Sequence, residues 1–154
     1  MTQTIVSTRE RPDLAPVTGT WRWKAFFEGG PTGLDEILAR DAACTRVTER
    51  MPTVLVLLED GAPVAMAALC RDDLPQRPAL NPWLAGVYVD HPHRGKGHAR
   101  TIVAAVEALA RDAGIAELFL YTPDAEGLYA RLGWTERETL PRGAEILTVM
   151  SKRL

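Results

Sequence analysis

The chain is poor in the residues on which several common chemistries depend. It has only two cysteines, Cys44 and Cys70, and three histidines among 154 residues. Neither cysteine has a C-x-x-C partner or a histidine at metal-ligand spacing, so we expect reduced thiols and no metal site. Lys and Arg (18) do not outnumber Asp and Glu (20) and are spread along the chain, so the sequence gives no case for the basic face typical of nucleic-acid binding.

Long hydrophobic runs are also missing. No apolar stretch approaches the roughly 18 residues of a membrane helix, and the first nine residues are too polar for a signal peptide. We therefore expect a cytoplasmic protein with neither a membrane nor a nucleic acid as partner. The length and the 46% apolar content predict one domain over residues 1–154 with a sizeable core.

From residue 53 onward the chain alternates between strand and helix patterns. An Asp-Gly turn at 59–62 joins two aliphatic runs and predicts an antiparallel hairpin. A polar, Pro-rich loop follows at 71–82. The later expected elements are strands at 84–89, 117–121 and 144–150 and helices at 99–113 and 124–132.

The N-terminal third is less regular. Residues 1–11 are expected to form a short strand or a loose arm, and Pro12 to start a helix. A second helix is expected over 34–47, capped by Thr32. This region contains four aromatic residues: Trp21, Trp23, Phe26 and Phe27. They suit either core packing or one wall of a substrate pocket, and both interpretations stay open.

A glycine-rich turn lies between the strand at 84–89 and the helix at 99–113. Gly95 and Gly97 let the backbone approach an anion closely, and the helix N-terminus adds partial positive charge. A dinucleotide-binding turn would need a third glycine where Arg100 stands, and no P-loop pattern is present. On these residues alone, the turn is either an anion site or a plain tight turn.

Two motifs together carry a family resemblance. Residues 94–99 read Arg-Gly-Lys-Gly-His-Ala and match the pattern Q/R-x-x-G-x-G/A, while 128–134 read Leu-Tyr-Ala-Arg-Leu-Gly-Trp. In this order and spacing they resemble the acetyl-CoA-binding motif and late helix of the GCN5-related N-acetyltransferases. The resemblance covers about residues 53–150. It implies an α/β (α+β) fold with a mixed, mostly antiparallel central sheet, flanking helices and splayed central strands.

The resemblance also implies a coenzyme A site. The pantetheine arm would fill the gap between the splayed strands and pair with the backbone of Val87 and Val89, and the amides of 95–100 would hold the pyrophosphate. Thr122 stands where the family often has Asn, and its hydroxyl can bond the pantetheine or the backbone. His98 replaces an aliphatic residue and is expected to point away from the phosphates. The expected cofactor-binding residues are Val87, Tyr88, Val89, Arg94, Gly95, Lys96, Gly97, His98, Ala99, Arg100 and Thr122.

The implied reaction is direct transfer of an acetyl group from acetyl-CoA to a primary amine of a small molecule or peptide. Direct attack needs no covalent intermediate, so the cysteines are not required as nucleophiles. Tyr129 matches the family's general acid, which protonates the departing thiolate. The general base is left open between a chain of water molecules and five residues: Glu28, Asp72, Asp73, Tyr88 and Asp90.

The acceptor is specified only loosely. Trp23, Phe27 and Trp83 suggest an aromatic wall, and Asp72 and Asp73 would favour a cationic amine. The alternative function is a non-catalytic acyl-CoA sensor of the same fold, and Tyr129 favours the enzyme because a pure binder needs no proton donor. A homodimer is compatible with the resemblance.

Overall fold

Seven strands form one sheet in this computed structural model, which describes all residues from Met1 to Leu154. The strands are β1 (Gln3–Ser7), β2 (Thr53–Glu59), β3 (Ala62–Cys70), β4 (Trp83–Val89), β5 (Glu117–Thr122), β6 (Thr135–Arg142) and β7 (Glu145–Arg153). The helices are α1 (Ala15–Phe26), α2 (Leu34–Cys44), α3 (His98–Asp112) and α4 (Glu126–Arg131). Short 3₁₀ turns cover Pro12–Leu14 and His91–His93.

The strand order is β1-β2-β3-β4-β5-β7-β6. Five neighbouring pairs are antiparallel, and only β4 and β5 run parallel. The expected mixed, mostly antiparallel sheet with flanking helices is therefore confirmed. None of the helices combines the length and the apolar character needed to cross a membrane.

Helix α3 covers one face of the sheet because its apolar residues recur every three or four positions. Its stripe of Ile102, Val103, Val106 and Ala110 is almost fully buried. The stripe packs against inward-facing side chains of β2, β3 and β4 in the largest core cluster. Helices α1 and α2 cover the opposite face, where Leu14 packs on alternate residues of β2.

The centre of the sheet is open between β4 and β5. These two strands share a single register pair, Trp83 with Phe119, after which they separate. A bulge in the β3–β4 pairing falls where Met66 and Ala68 oppose Tyr88 and Ala85, and Gly86 inside it has a φ of +62°. The extra β4 residue bends the strand away from its neighbour. The expected splay of the central strands is confirmed.

Some expected boundaries are corrected. For residues 1–11 the short strand is confirmed over the loose arm, since Gln3–Ser7 form an edge strand paired with β2. Helix α2 ends at Cys44 and not at residue 47, and its N-cap is Gly33 with no side-chain cap, so Thr32 does not cap it. The last strand reaches Arg153, because its pairing with β5 continues to that residue.

Candidate active site

A cavity of about 870 Å³ occupies the gap between β4 and β5. It opens to both faces of the sheet, because its lining combines α4 from one face with the end of α1 and the loop after β3 from the other. Residues that line it include Arg22, Phe26, Phe27, Asp73, Gly86, Val87, Tyr88, Arg94, Tyr121, Thr122, Asp124, Tyr129, Arg142 and Glu145. Two molecules approaching from opposite faces can meet inside it.

The glycine turn bares a row of donors beside this cavity. The N–H groups of residues 95–100 make no hydrogen bond within the protein, and the first bonded amide of α3 is Thr101, which donates to the carbonyl of Gly97. Gly95 (φ +78°) and Gly97 (φ +81°) both lie in the left-handed region that favours glycine. The arrangement is a nest of backbone donors at a helix N-terminus, which suits a pyrophosphate.

Arginine and lysine side chains surround the turn. Lys96 and Arg100 are exposed beside it. Arg94 donates from Nε to the carbonyl of Val89 (2.9 Å) and lies over the Tyr88 ring, with Cζ 5.5 Å from its centroid. Arg94 therefore links the turn to the end of β4.

The backbone of β4 faces the gap at the positions expected to hold the pantetheine. Asp90 donates its N–H to Val64 of β3 (2.9 Å). Because alternate residues of a strand point to opposite sides, the N–H and C=O of Val89 point towards β5, and Val87 lies two residues earlier. Val89 thus turns its backbone N–H towards the gap, while its carbonyl already accepts the hydrogen bond from Arg94 Nε.

Two residues that depart from the family pattern have structural roles. Thr122 is buried, and its Oγ1 accepts hydrogen bonds from the N–H of Asp124 (3.3 Å) and Ala125 (3.0 Å), so it shapes the chain entering α4. His98 is 3% exposed and faces inward, with Nε2 3.4 Å from Glu59. The imidazole of His98 thus lies away from the exposed turn, and only its backbone N–H is among the bared donors.

Tyr129 lies in α4 and lines the cavity, with 7% of its surface exposed. Burial, and secondarily the nearby Asp124 carboxylate, raise the pKa of Tyr129 to about 12. Its hydroxyl consequently keeps its proton at every physiological pH. A protonated phenol that lines the cavity can donate a hydrogen bond to a developing anion.

A buried polar cluster holds the end of α4 in place. Trp134 donates from Nε1 to Glu107 Oε2 (3.2 Å), and Lys152 donates from Nζ to Glu107 Oε1 (2.9 Å) and to the carbonyl of Leu132 (2.8 Å). The N–H of Trp134 also returns to the carbonyl of Tyr129 (3.0 Å). These bonds fix α4 against α3 and β7, and thereby fix the position of Tyr129.

The opposite half of the cavity carries an acidic residue near several basic ones. Burial raises the pKa of Asp73 above its ordinary value, although Arg22, Arg142 and the nearby Tyr121 hydroxyl act to lower it. Burial likewise raises the pKa of Tyr121. Asp73 is thus a carboxylate with enhanced basicity that faces the cavity.

Of the other four candidate bases, only Tyr88 lines the cavity. Asp72 is exposed and accepts a hydrogen bond from Asn81 Nδ2 (2.9 Å), and Asp90 accepts one from the N–H of His91. Glu28 lies in the exposed turn after α1. These three residues are committed elsewhere or point to solvent.

The expected aromatic wall is wrong in two of its three members. Trp83 is fully buried, packed with Phe119 in a core cluster beneath the 71–82 loop, and does not line the cavity. Trp23 donates from Nε1 to the carbonyl of Thr32 (3.1 Å) and also lies outside it. Phe27 does line the cavity, together with the half-exposed Phe26.

Comparison with known proteins decides the family. The model of the Acetyltransferase (GNAT) family matches residues 17–134. The chain belongs to the GNAT acetyltransferase family. A search of the curated proteins gives no match.

Solved GNAT structures share the fold at low sequence identity. YncA of Salmonella typhimurium, solved with its cofactor acetyl-CoA, is 20% identical with a TM-score of 0.73, over 99% of this chain and 94% of that one. An aminoglycoside 6′-N-acetyltransferase complexed with coenzyme A is 14% identical with a TM-score of 0.74, over 99% and 97%. A ribosomal-protein-alanine N-acetyltransferase from Brucella melitensis is 20% identical with a TM-score of 0.71, over the full length of both.

The half of the cavity on the α1 face of this GNAT acetyltransferase contains lining residues that the sequence did not reveal. Arg22 and Asp41 form an ion pair (3.0 Å) between α1 and α2, and Arg22 lines the cavity. Neither residue lies in a motif. The one available signal was Gly86, since a glycine inside an apolar strand often marks a bulge or a close approach by another group.

Asp73→Asn is expected to stabilise this acetyltransferase at neutral pH. Because the folded-state pKa of Asp73 is raised, its carboxyl favours folding most at low pH, and that contribution is lost as the pH rises through the folded-state value. The amide avoids the cost of burying the charge. Thermal unfolding of both proteins at several pH values should show a Tm gain near neutrality that shrinks in acid. A gain of equal size at every pH, or a loss, would contradict the assigned cause.

Proposed function

We propose that this protein is an acetyl-CoA-dependent N-acetyltransferase in which residues 1–154 act as one domain and an amine of a small molecule or peptide is the acceptor. The observation that carries the proposal is the open cavity between β4 and β5, with the bared amides of 95–100 beside it and the Tyr129 hydroxyl in its lining. Binding of coenzyme A or acetyl-CoA by YncA and the aminoglycoside enzyme supports the donor assignment. The structure has no cluster of three or more His, Cys, Asp or Glu placed to hold a metal ion.

The donor fits the residues present. Gly95 and Gly97 shape the turn whose amides would hold the pyrophosphate, and Lys96 and Arg100 add positive charge. The β4 backbone at Val87 and Val89 would bond the pantetheine amides. When bound, acetyl-CoA supplies an activated acetyl group as a thioester.

Tyr129 acts as the general acid in this proposal. As the carbon–sulfur bond breaks, Tyr129 Oη gives its proton to the departing sulfur, and a pKa of about 12 keeps that proton available beforehand. Glu107 and Trp134 hold the end of α4 so that the hydroxyl stays aimed into the cavity. No side chain hydrogen-bonds to this hydroxyl and competes for it.

Asp73 acts as the proton acceptor on the other side. The amine must lose a proton to become nucleophilic, and a carboxylate with a raised pKa is a better base than an ordinary one. Asp73 lines the acceptor half of the cavity, whereas Tyr129 belongs to α4 on the opposite face. The acid and the base thus lie on opposite faces of the gap in the sheet.

The test is a screen of primary amines with acetyl-CoA, using release of free thiol as the readout. A reaction without acceptor measures thioester hydrolysis, and protection against thermal unfolding by coenzyme A measures donor binding. We expect at least one class of amine to raise thiol release well above hydrolysis. If coenzyme A still protected the protein but no amine were acetylated, the enzymatic function would be contradicted and the acyl-CoA sensor favoured.

A further inference from the structure

Arg22 is held rigidly at the acceptor end of the cavity. Its Nε and Nη2 donate to the two carboxylate oxygens of Asp41 (3.0 and 3.4 Å), and Nη2 also approaches Met66 Sδ (3.9 Å). Asp41 is 3% exposed and accepts a further hydrogen bond from Thr18 Oγ1 (2.7 Å). Because these bonds hold one side of the guanidinium group, Arg22 has lost most of its side-chain entropy before any ligand binds.

The remaining nitrogen of Arg22 faces the cavity. Nη1 makes no hydrogen bond within the protein, and Arg22 is among the lining residues. The nitrogen lies directly against Gly86, where an added Cβ would overlap it. The bulge in β4 and its glycine therefore make room for this guanidinium beside the strand that would border the donor.

The surrounding charges favour a zwitterion. Arg22 supplies a cationic donor with one unbonded nitrogen, and Asp73 supplies a carboxylate in the lining of the same cavity. Arg142 lines the same region and lies over the Tyr121 ring, with Cζ 5.0 Å from the centroid. A ligand with an ammonium and a carboxylate a few bonds apart satisfies both ends, whereas a polyamine would bring cations against Arg22 and Arg142.

We propose that the acceptor is a free amino acid, whose carboxylate is bound by Arg22 Nη1 while its amine faces Asp73. This inference rests on the proposed function and narrows its acceptor class. A peptide terminus does not fit as well, because its nearest main-chain oxygen is a neutral carbonyl. Phe26 and Phe27, at the end of α1, offer apolar contact to the rest of the ligand.

The experiment compares each common L-amino acid with its amide and its decarboxylated amine. For the preferred acceptor, kcat/KM should be about ten- to a hundredfold higher than for the two matched compounds, the range expected for one charged hydrogen bond. The amine of the amide is less basic than that of the amino acid, so a larger fraction of it is unprotonated at neutral pH, which favours the amide and works against this result. Equal or faster turnover of the amides or amines would overturn the inference.

A paired variant isolates the role of Arg22. Arg22→Gln combined with Asp41→Asn keeps a hydrogen-bonded pair in the buried site and avoids an unpaired charge. The preference for the carboxylate should fall to near onefold in this variant, because kcat/KM for the amino acid falls further than kcat/KM for its amide and its amine. An equal loss of kcat/KM for all three compounds would instead mean that Arg22 acts on the reaction itself, and would overturn its role in binding the carboxylate.

A binding measurement separates this inference from the proposed function. With coenzyme A present, the amino acid should raise the Tm of the wild-type protein more than its amide does, and the paired variant should lose the difference. Selective protection without any turnover would contradict the proposed enzymatic function and support the carboxylate-binding site. Turnover of amines with no such selectivity would support the enzymatic function and contradict the carboxylate-binding site.

Discussion

Tyr129→Phe is expected to lower kcat by about 100-fold or more, which is the lower range for loss of a general acid. The KM for acetyl-CoA should hardly change, because the ring still fills its place in the core. The loss should be uniform across neutral and mildly alkaline pH, since the wild-type hydroxyl, with a pKa of about 12, is protonated throughout. Single-turnover thiol release on an identified amine measures the chemical step directly.

Stability provides the control for Tyr129→Phe. The hydroxyl has no side-chain hydrogen-bond partner, so its removal should leave Tm unchanged or slightly raised. A lower rate accompanied by a lower Tm would point to damage in the core. A chemical step within twofold of the wild type, with coenzyme A still bound, would show that Tyr129 is not the acid.

Gly97→Val is expected to weaken coenzyme A binding by about 100-fold. A valine at φ +81° is strained, and its branched side chain would project from the turn whose amides lie free for the pyrophosphate. Losing one or two charge-assisted hydrogen bonds accounts for an effect of this size. Isothermal titration with coenzyme A at fixed ionic strength measures the change.

Gly114→Val is a matched control at the other end of α3. Gly114 has φ +79° and, like Gly97, no atom within 4 Å of an added Cβ, so both variants carry a similar backbone penalty. Gly114→Val should lose stability and keep its affinity for coenzyme A. If both variants bound coenzyme A equally weakly, or if Gly97→Val bound it as tightly as the wild type, the assignment of the pyrophosphate to this turn would be wrong.

The sequence predicted the half of the fold that depends on local patterns. The β2–β3 hairpin follows from an Asp-Gly turn between aliphatic runs, and α3 follows from its periodic stripe ending at Gly114. The glycine turn was placed correctly between β4 and α3, because its residues specify both the break in the strand and the start of the helix. The cofactor roles of these residues, and the role of Tyr129, remain predictions.

The acceptor half depends on packing between distant segments and was largely hidden. Trp83 was expected on the pocket wall, but it precedes the bulge in β4 and therefore packs under the 71–82 loop. Arg22 reaches the cavity only because Asp41, 19 residues away, fixes it and Gly86 leaves space. No short sequence motif predicts an arrangement that depends on Arg22, Asp41 and Gly86 together.

The single rung between β4 and β5 gives the sheet an unpaired edge in its interior. Exposed strand edges can pair with other protein chains. The edge between β4 and β5 is enclosed by α1, α3 and α4, so it admits only a narrow, extended ligand. In the proposed complex the pantetheine arm completes the ladder and is recognised by main-chain atoms at Val87 and Val89, not by their side chains. A substitution there would keep these main-chain atoms in place and change only the packing of Val87 and Val89 on the core, whereas a one-residue deletion in β4 would turn every remaining donor to the wrong side.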